Sequence, residues 1–247
     1  MVTTLVGGLV VASCAHQENA PAGAETWSSL QSQHPGGFIY KADTESPVAA
    51  LTFDDGPSEL SGKLLDLLSE RGVKATFFWQ GNNLARFPNI LRRAIAEGHT
   101  VGQHSWDHSH VSNMDPELLW FTQIEATNRE FEQLANHEVI YYRPPFGEIN
   151  ANQTNFLTRR RIMSVGWSIT SLDWDDDRNS PDQVVSRVLS ELHPGALVLL
   201  HDYPRGENEQ AFLTAIARII VAGEQRGFTW VNLHTLLQDY SAGKLGK

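Results

Sequence analysis

Cysteine is almost missing from this chain. A single one, Cys14, stands among 247 residues, so no disulfide can form within the molecule and a buried core must hold the fold. Positive charge is also scarce: 19 lysines and arginines face 29 aspartates and glutamates, for a formal net charge of −10. A phosphate backbone would be repelled, which argues against nucleic acid as a partner. No apolar run reaches the length of a membrane-spanning helix, and no stretch repeats another. With 41% hydrophobic residues, the length fits one large domain, or one domain and a tail, and a monomer is expected.

What is present begins with an apolar leader. Residues 1–13 read MVTTLVGGLVVAS, small, apolar and uncharged, like the central part of an export signal. Val11-Ala12-Ser13-Cys14 resembles a bacterial lipobox, in which the cysteine carries a lipid anchor, although no Lys or Arg precedes the run as in an ordinary signal. Residues 1–14 are therefore expected as a signal peptide or lipobox, and the protein as exported, either held at the cell envelope or secreted. Residues 15–46 are rich in Ala, Ser, Gly, Gln and Pro without a sustained period. They read as a linker with a short docking segment near Phe38-Ile39-Tyr40.

From residue 47 onward, short apolar runs alternate with helical patterns. Strands are expected at 48–53, 75–79, 100–103, 140–143, 162–169, 196–200 and 229–233. Leu64, Leu65 and Leu68 stripe a first helix, and Asp115-Pro116-Glu117 opens a long one through Leu134. Ser180-Pro181-Asp182 opens another, while Phe212, Ile216, Ile219 and Ile220 share one face of the last long helix. Seven strands alternating with helices give an α/β parallel sheet, closed into a barrel or doubly wound. In either form, chemistry belongs at the C-terminal ends of the strands.

The suspicious residues fall at those ends. Val48–Phe53 stops at Asp54 and Asp55, followed by the breaker Gly56-Pro57, so two adjacent acids sit at a rim pointing in different directions. One metal ligand and one general base would use them so. His104 and His108 follow the third strand, four residues apart, which sets both rings on one side of a turn. With Asp55 they make a two-histidine, one-carboxylate set suited to catalytic zinc. Arg143, ahead of two prolines, is kept out of the helical region and suits a bidentate grip on a carboxylate, with Asp54 the partner. His201 ends the apolar run Ala196–Leu200, where partial desolvation makes its pKa tunable, and Asp173 is placed to orient it. Asp175, Asp176 and Asp177 read as solvated acids, and His99 and His110 as structural or exposed.

Together, Thr52-Phe53-Asp54-Asp55-Gly56-Pro57, His104-Ser105-Trp106-Asp107-His108, Arg143-Pro144-Pro145-Phe146-Gly147, Asp173-Trp174 and Leu199-Leu200-His201 resemble the motifs of the polysaccharide deacetylases. This is carbohydrate esterase family 4, the NodB-homology domain, and the resemblance runs from 47 to 240, leaving 241–247 as a tail. It implies a distorted (β/α)7-type barrel. It implies Asp54 as general base, Asp55, His104 and His108 as ligands of Zn²⁺ (or another divalent transition metal such as Co²⁺), and Arg143 holding Asp54. His201 would be the general acid oriented by Asp173. Trp174 and Leu199 would line the acetyl pocket, and the backbone N–H near Phe146 would help hold the oxyanion. Two positions depart from the family pattern: Thr170 where an acid is usual, and Phe146 where Tyr is frequent.

The expected activity is removal of N-acetyl groups from N-acetylglucosamine polymers or oligomers, such as peptidoglycan, chitin or chito-oligomers, with release of acetate. An acetylxylan O-acetyl esterase would use the same groups. A silent sugar-binding wall protein on the same barrel would be expected to lack one of them, and this chain keeps them all.

Overall fold

The computed structural model describes residues 26–203 and 205–241. The leader, Cys14 and the tail beyond 241 lie outside the described residues.

Nine short strands form one parallel sheet: β1 (Phe38–Ile39), β2 (Val48–Asp54), β3 (Thr76–Trp79), β4 (Thr100–Gln103), β5 (Tyr141–Tyr142), β6 (Met163–Val165), β7 (Ile169–Thr170), β8 (Ala196–His201) and β9 (Thr229–Trp230). The order is β1-β6-β5-β4-β3-β2-β8-β7, with β9 also on β2. Helices cross over between most of them, as parallel pairing demands. The order itself proves curvature. β6 and β7 lie six places apart, about 29 Å in a flat sheet at ~4.8 Å per strand. Four Cα steps join Val165 to Ile169, and these reach at most about 14 Å. The sheet is therefore rolled into the distorted barrel that the family resemblance implied, and of the two topologies the alternating pattern allowed, the open doubly wound one is set aside.

Alternation along each strand divides the apolar residues between two cores. Ala49, Leu51 and Phe53 of β2 face outward and pack with Leu64, Leu65, Leu68, Phe212, Ile216, Ile219 and Ile220 of the surrounding helices. Val48 and Ala50 face inward, with Phe78, Tyr141, Val165 and Leu197, and the C-terminal helix Leu233–Ser241 closes this interior with Leu233 and Leu236. Above that floor the inward residues become polar: Thr52, then Asp54. β8 is arranged alike, with Leu197, Leu199 and His201 on the inner face. The rim is the only inner level where the sequence of β2 and β8 places ionisable groups.

Two expectations need correction. The run 162–169 is not one strand. Its backbone changes partner: Ser164 and Gly166 donate to Gly37 and Ile39, whereas Ser168 donates to Leu197. Gly166 permits this, because a Cβ there would lie 3.0 Å from the Trp27 ring and 3.1 Å from Tyr40. The linker expected over 15–46 also ends early. Trp27–Gln33 is a helix, its N-cap Thr26 accepting the Ser29 N–H at 3.2 Å. Trp27 sets its ring edge-on to Trp167 at 4.7 Å and packs near Phe38 and Tyr40. β1 pairs with β6. A few apolar residues in polar company carry this docking, which composition alone does not reveal. The long helix expected from Pro116 is present, with a π-helical stretch at Trp120–Ile124 before Glu125–Ala135.

Candidate active site

Asp54 ends β2 on the inner face and is almost fully buried, as is Arg143 just past β5. Arg143 Nη1 donates to Asp54 Oδ1 at 2.8 Å and to Thr52 Oγ1 at 2.6 Å, and Nη2 donates to the Gly166 carbonyl at 2.8 Å. The guanidinium lies 4.2 Å from the Phe78 ring centroid, so it is fixed on every side. Burial pushes the Asp54 carboxyl above its ordinary range, against the pull of Arg143 and of the His201 and His108 charges. The result is a carboxylate more basic than a solvated one, with a dedicated counter-ion.

The next residue turns away. Asp55 has φ 77°, and Gly56-Pro57 is cis. Asp55 Oδ1 lies 3.6 Å from His104 Nε2 and 3.3 Å from His108 Nε2. One donor atom from each of the three residues falls within 4.8 Å of the others. His104 Nδ1 sits 2.7 Å from the Arg143 carbonyl, an oxygen that can only accept, so Nδ1 carries the hydrogen and Nε2 presents a bare lone pair. Burial lowers the His104 pKa to about 3, so the ring is neutral and free to ligate. Gln80 Nε2 donates to Asp55 Oδ1 and Asn83 Nδ2 to its carbonyl, each at 3.1 Å. Two imidazoles, His104 held neutral by burial, and one braced carboxylate fit a divalent transition cation with positions left open.

The third group comes from β8. Asp54 and His201 are register partners across β2 and β8. His201 Nδ1 donates to Asp173 Oδ1 at 2.8 Å, and its backbone N–H donates to Oδ2 at 3.0 Å. Burial works to lower the His201 pKa, but the Asp173 charge and hydrogen bond, with Asp55 and Asp54, raise it overall. Burial works to raise Asp173, and His201 and Arg205 bring it below the usual carboxylate range. Nδ1 is thus engaged and Nε2 is left to carry a proton toward the rim. Trp174, 39% exposed, sets its ring edge-on to His201 at 4.9 Å. Leu199 is buried one inward step below His201, level with Thr52 and Thr170. Thr170 accepts the Trp167 Nε1–H at 2.9 Å, a neutral use of the position where an acid is usual.

Phe146 completes the rim. With φ 57° and 54% exposure, it stacks on His110 at 4.0 Å and meets His108 edge-on at 4.6 Å. His110 Nδ1 in turn lies 2.9 Å from Glu148, so this histidine buttresses Phe146 rather than standing free. Left-handed backbone gathers here: Asp55, Ser105, His108, Phe146 and Leu172 all have positive φ, each at a cost of about 1–3 kcal/mol that functional sites commonly carry. A cavity of about 330 Å³ opens beside Asp55 and His108, between Glu59, Gln80, Asn83, Arg86, Phe87 and Tyr203.

All ten residues expected at the site therefore meet at one rim or directly beneath it, and His99 is buried and structural, its Nδ1 accepting the Ala75 N–H. Asp175 pairs with Arg178, and Asp176 and Asp177 are exposed, as surface acids should be. Sequence reading missed Arg205, whose Nη2 donates to Asp173 Oδ2 at 2.5 Å and to the His201 carbonyl at 2.9 Å, and whose Nη1 donates to the Asp173 carbonyl at 2.7 Å. It also gave no positioning role to Gln80, Asn83 and Asp202. Their only signal was nearness to a motif: Asp202 follows His201 directly, and Gln80 follows β3.

A family model described as polysaccharide deacetylase matches residues 41–162. A peptidoglycan-N-acetylglucosamine deacetylase of Bacillus cereus is 34% identical over 214 residues, 86% of this chain and 76% of that one. A chitin deacetylase of Pestalotiopsis sp is 33% identical over 230 residues, 90% of this chain and 75% of that one. Among solved structures, the Bc1960 peptidoglycan N-acetylglucosamine deacetylase superimposes with a TM-score of 0.78 at 33% identity, over 85% of this chain and 96% of that one. A pseudoenzyme of carbohydrate esterase family 4 from Bacillus anthracis superimposes with a TM-score of 0.71 at 25% identity, over 81% and 68%.

Proposed function

From the premise that this chain belongs to the polysaccharide deacetylase family, we propose that it is a metal-dependent hydrolase. It removes N-acetyl groups from polymers or oligomers of N-acetylglucosamine and releases acetate. The observation that carries this reading is the completeness of one rim: a buried acid on its own arginine, a three-residue ligand set, and an acid-linked histidine in register with the first acid.

Asp55, His104 and His108 would hold the ion, with Zn²⁺ favoured by the mixed nitrogen and oxygen donors. When bound, it supplies Lewis-acid polarisation and lowers the pKa of a water. Asp54, charged because Arg143 pairs with it, takes one proton from the attacking water as its oxygen joins the acetyl carbon. The Phe146 backbone N–H steadies the carbonyl oxygen as it becomes an oxyanion. His201 enters protonated, its charge balanced by Asp173, and gives its Nε2 proton to the sugar nitrogen as the carbon–nitrogen bond breaks. That proton matters because an amide anion is a very poor leaving group. Acetate and a free amino sugar result. Trp174 and Leu199 would flank the methyl group.

The relatives named above support peptidoglycan and chitin-type substrates over acetylxylan, and the intact set of ionisable groups supports catalysis over silence. The catalytic domain proposed for 47–240 includes, on this fold, the docked segment from residue 26. Export, either held at the cell envelope by a lipid on Cys14 or secreted, is part of the proposal on the strength of the leader sequence. Acetate release should be assayed on peptidoglycan, chitin, chito-oligomers and acetylxylan, with Asp54→Asn as control. Release from the N-acetylated glycans, lost in the control, is expected. Release from acetylxylan alone would overturn the amide-hydrolase reading.

A further inference from the structure

Asp202 is a fully buried acid that the reaction above does not use. It follows His201 but points to the other side of the sheet, away from the inner face. Its Oδ1 accepts the Gly56 N–H at 2.9 Å, and its Oδ2 accepts the Trp79 indole N–H at 3.0 Å and the Ser61 hydroxyl at 2.6 Å. Its own N–H donates to the Asp54 carbonyl at 2.9 Å, and its carbonyl accepts the Ser58 hydroxyl at 2.5 Å. No Lys or Arg among the described residues forms an ion pair with it. A buried carboxylate without a cation is an expensive way to stabilise a core, so its geometry asks for another explanation.

The two backbone contacts supply one. The Asp54 carbonyl and the Gly56 N–H belong to the peptide groups on either side of Asp55, and one residue holds both. Fixing those two peptides fixes φ and ψ of Asp55 in its left-handed conformation, which an L residue seldom adopts unaided. We infer that Asp202 is the positioning residue of the catalytic turn: by clamping both peptides of Asp55 it sends Asp54 to Arg143 and Asp55 to the two histidines.

Two details agree. Each carboxylate oxygen faces an N–H that can only donate, Gly56 on one and Trp79 on the other, so both oxygens must accept. An asparagine would aim its amide N–H at one of them. Position 56 must also be glycine, because a Cβ there would fall 2.4 Å from Asp202 Oδ1 and 2.6 Å from Trp79 Nε1.

The inference rests on the proposed role of Asp55 as a metal ligand, and its test separates the two. The full chain, stripped of metal, is titrated with Zn²⁺ against a chromophoric chelator, for wild type, Asp55→Ala, Asp202→Asn and Trp79→Phe. Steady-state acetate release is then measured at saturating Zn²⁺. Asp202→Asn should fold, by near-ultraviolet circular dichroism, yet bind Zn²⁺ about 10–100-fold more weakly, as expected when a partner that orients a ligand is lost. Its kcat should fall while KM moves by less than about threefold, since the reacting groups and not the surrounding surface are disturbed. Trp79→Phe, which removes one donor and keeps a ring, should weaken Zn²⁺ binding in the same direction and decides the matter if Asp202→Asn does not fold. A folded Asp202→Asn with wild-type Zn²⁺ affinity and kcat overturns the inference. So does wild-type behaviour of Trp79→Phe where Asp202→Asn is unfolded. Unchanged Zn²⁺ affinity in Asp55→Ala would instead overturn the metal reading, and this inference with it.

Discussion

Arg205 holds the oxygen of Asp173 that the His201 ring does not: Nη2 reaches Oδ2 at 2.5 Å while His201 Nδ1 reaches Oδ1 at 2.8 Å. A guanidinium and an imidazole thus share one buried carboxylate. Arg205 keeps Asp173 ionised and in place, but its charge also opposes protonation of the nearby ring. Replacing it with glutamine should therefore let the His201 pKa climb further and loosen the pair. The expected result for Arg205→Gln is an alkaline limb of kcat/KM shifted to higher pH and a lowered kcat, with Arg205→Lys closer to wild type. An unmoved alkaline limb would show that Arg205 is only a structural tie.

Wild-type pH dependence follows from the same groups. Asp54 must be deprotonated to accept the water's proton, and its pKa lies above the ordinary 3.8, so activity should be lost as pH falls through that raised value. His201 must be protonated to donate, and its pKa lies above 6.5, so activity should be lost as pH rises through that value. The bell in kcat/KM is bounded on each side by a raised pKa. Asp173→Asn removes the main group that raises His201, so burial weighs against only the remaining pull of Asp55 and Asp54. Its alkaline limb should move to lower pH. A shift the other way would mean that some other group is the acid.

Asp54 and Asp55 are neighbours with separate duties, and single substitutions should separate them. Asp54→Asn is expected to bind metal normally and to lose turnover by about 10²–10⁴-fold, the usual cost of removing a general base. Asp55→Ala should lose metal and turnover together, and excess Zn²⁺ should restore little. Isothermal titration with Zn²⁺ beside acetate release checks both. If Asp54→Asn lost the metal and Asp55→Ala kept it, the two roles would be exchanged.

The site was legible in the sequence because its groups end a strand, as Asp54 and His201 do, or lie in the loop that follows one. An apolar run that stops at an acid or a histidine is a strand that has reached the rim, and parallel topology puts every such end on one side. Asp54 beside His201 needed only that β2 and β8 be neighbours. Arg205 was not legible, since four residues after His201 lies in a returning loop whose path depends on tertiary packing. The break at Gly166-Trp167-Ser168 was hidden for a related reason: β-forming residues flank it on both sides, a single glycine is also compatible with a bulge inside one strand, and only the change of pairing partner divides them. Asp202 sits next to a motif in plain view, but it faces the helix side of the sheet with Ser61, where an acid looks incidental.

The segment from Trp27 to Ile39 offers the last test, because a tether and a structural element respond differently to damage. Leu30 is fully buried on the helix Trp27–Gln33, and Trp27 wedges against Trp167 and beside Gly147, where a Cβ would fall 2.7 Å from its ring. Trp167 belongs to the same neighbourhood as Arg143, 5.7 Å from its guanidinium. Leu30→Ala should thus destabilise the protein by about 2–5 kcal/mol, the range for a buried leucine. A chain begun at residue 47 should do worse, because it also strips β1 from the edge of β6 and uncovers the inner core at Val165. A chain begun at residue 26 keeps every element described above and serves as the reference for both. If the 47-start chain kept the Tm and kcat of the 26-start chain, the segment would be a tether after all, and Trp27 would have no part in holding the arginine that holds the base.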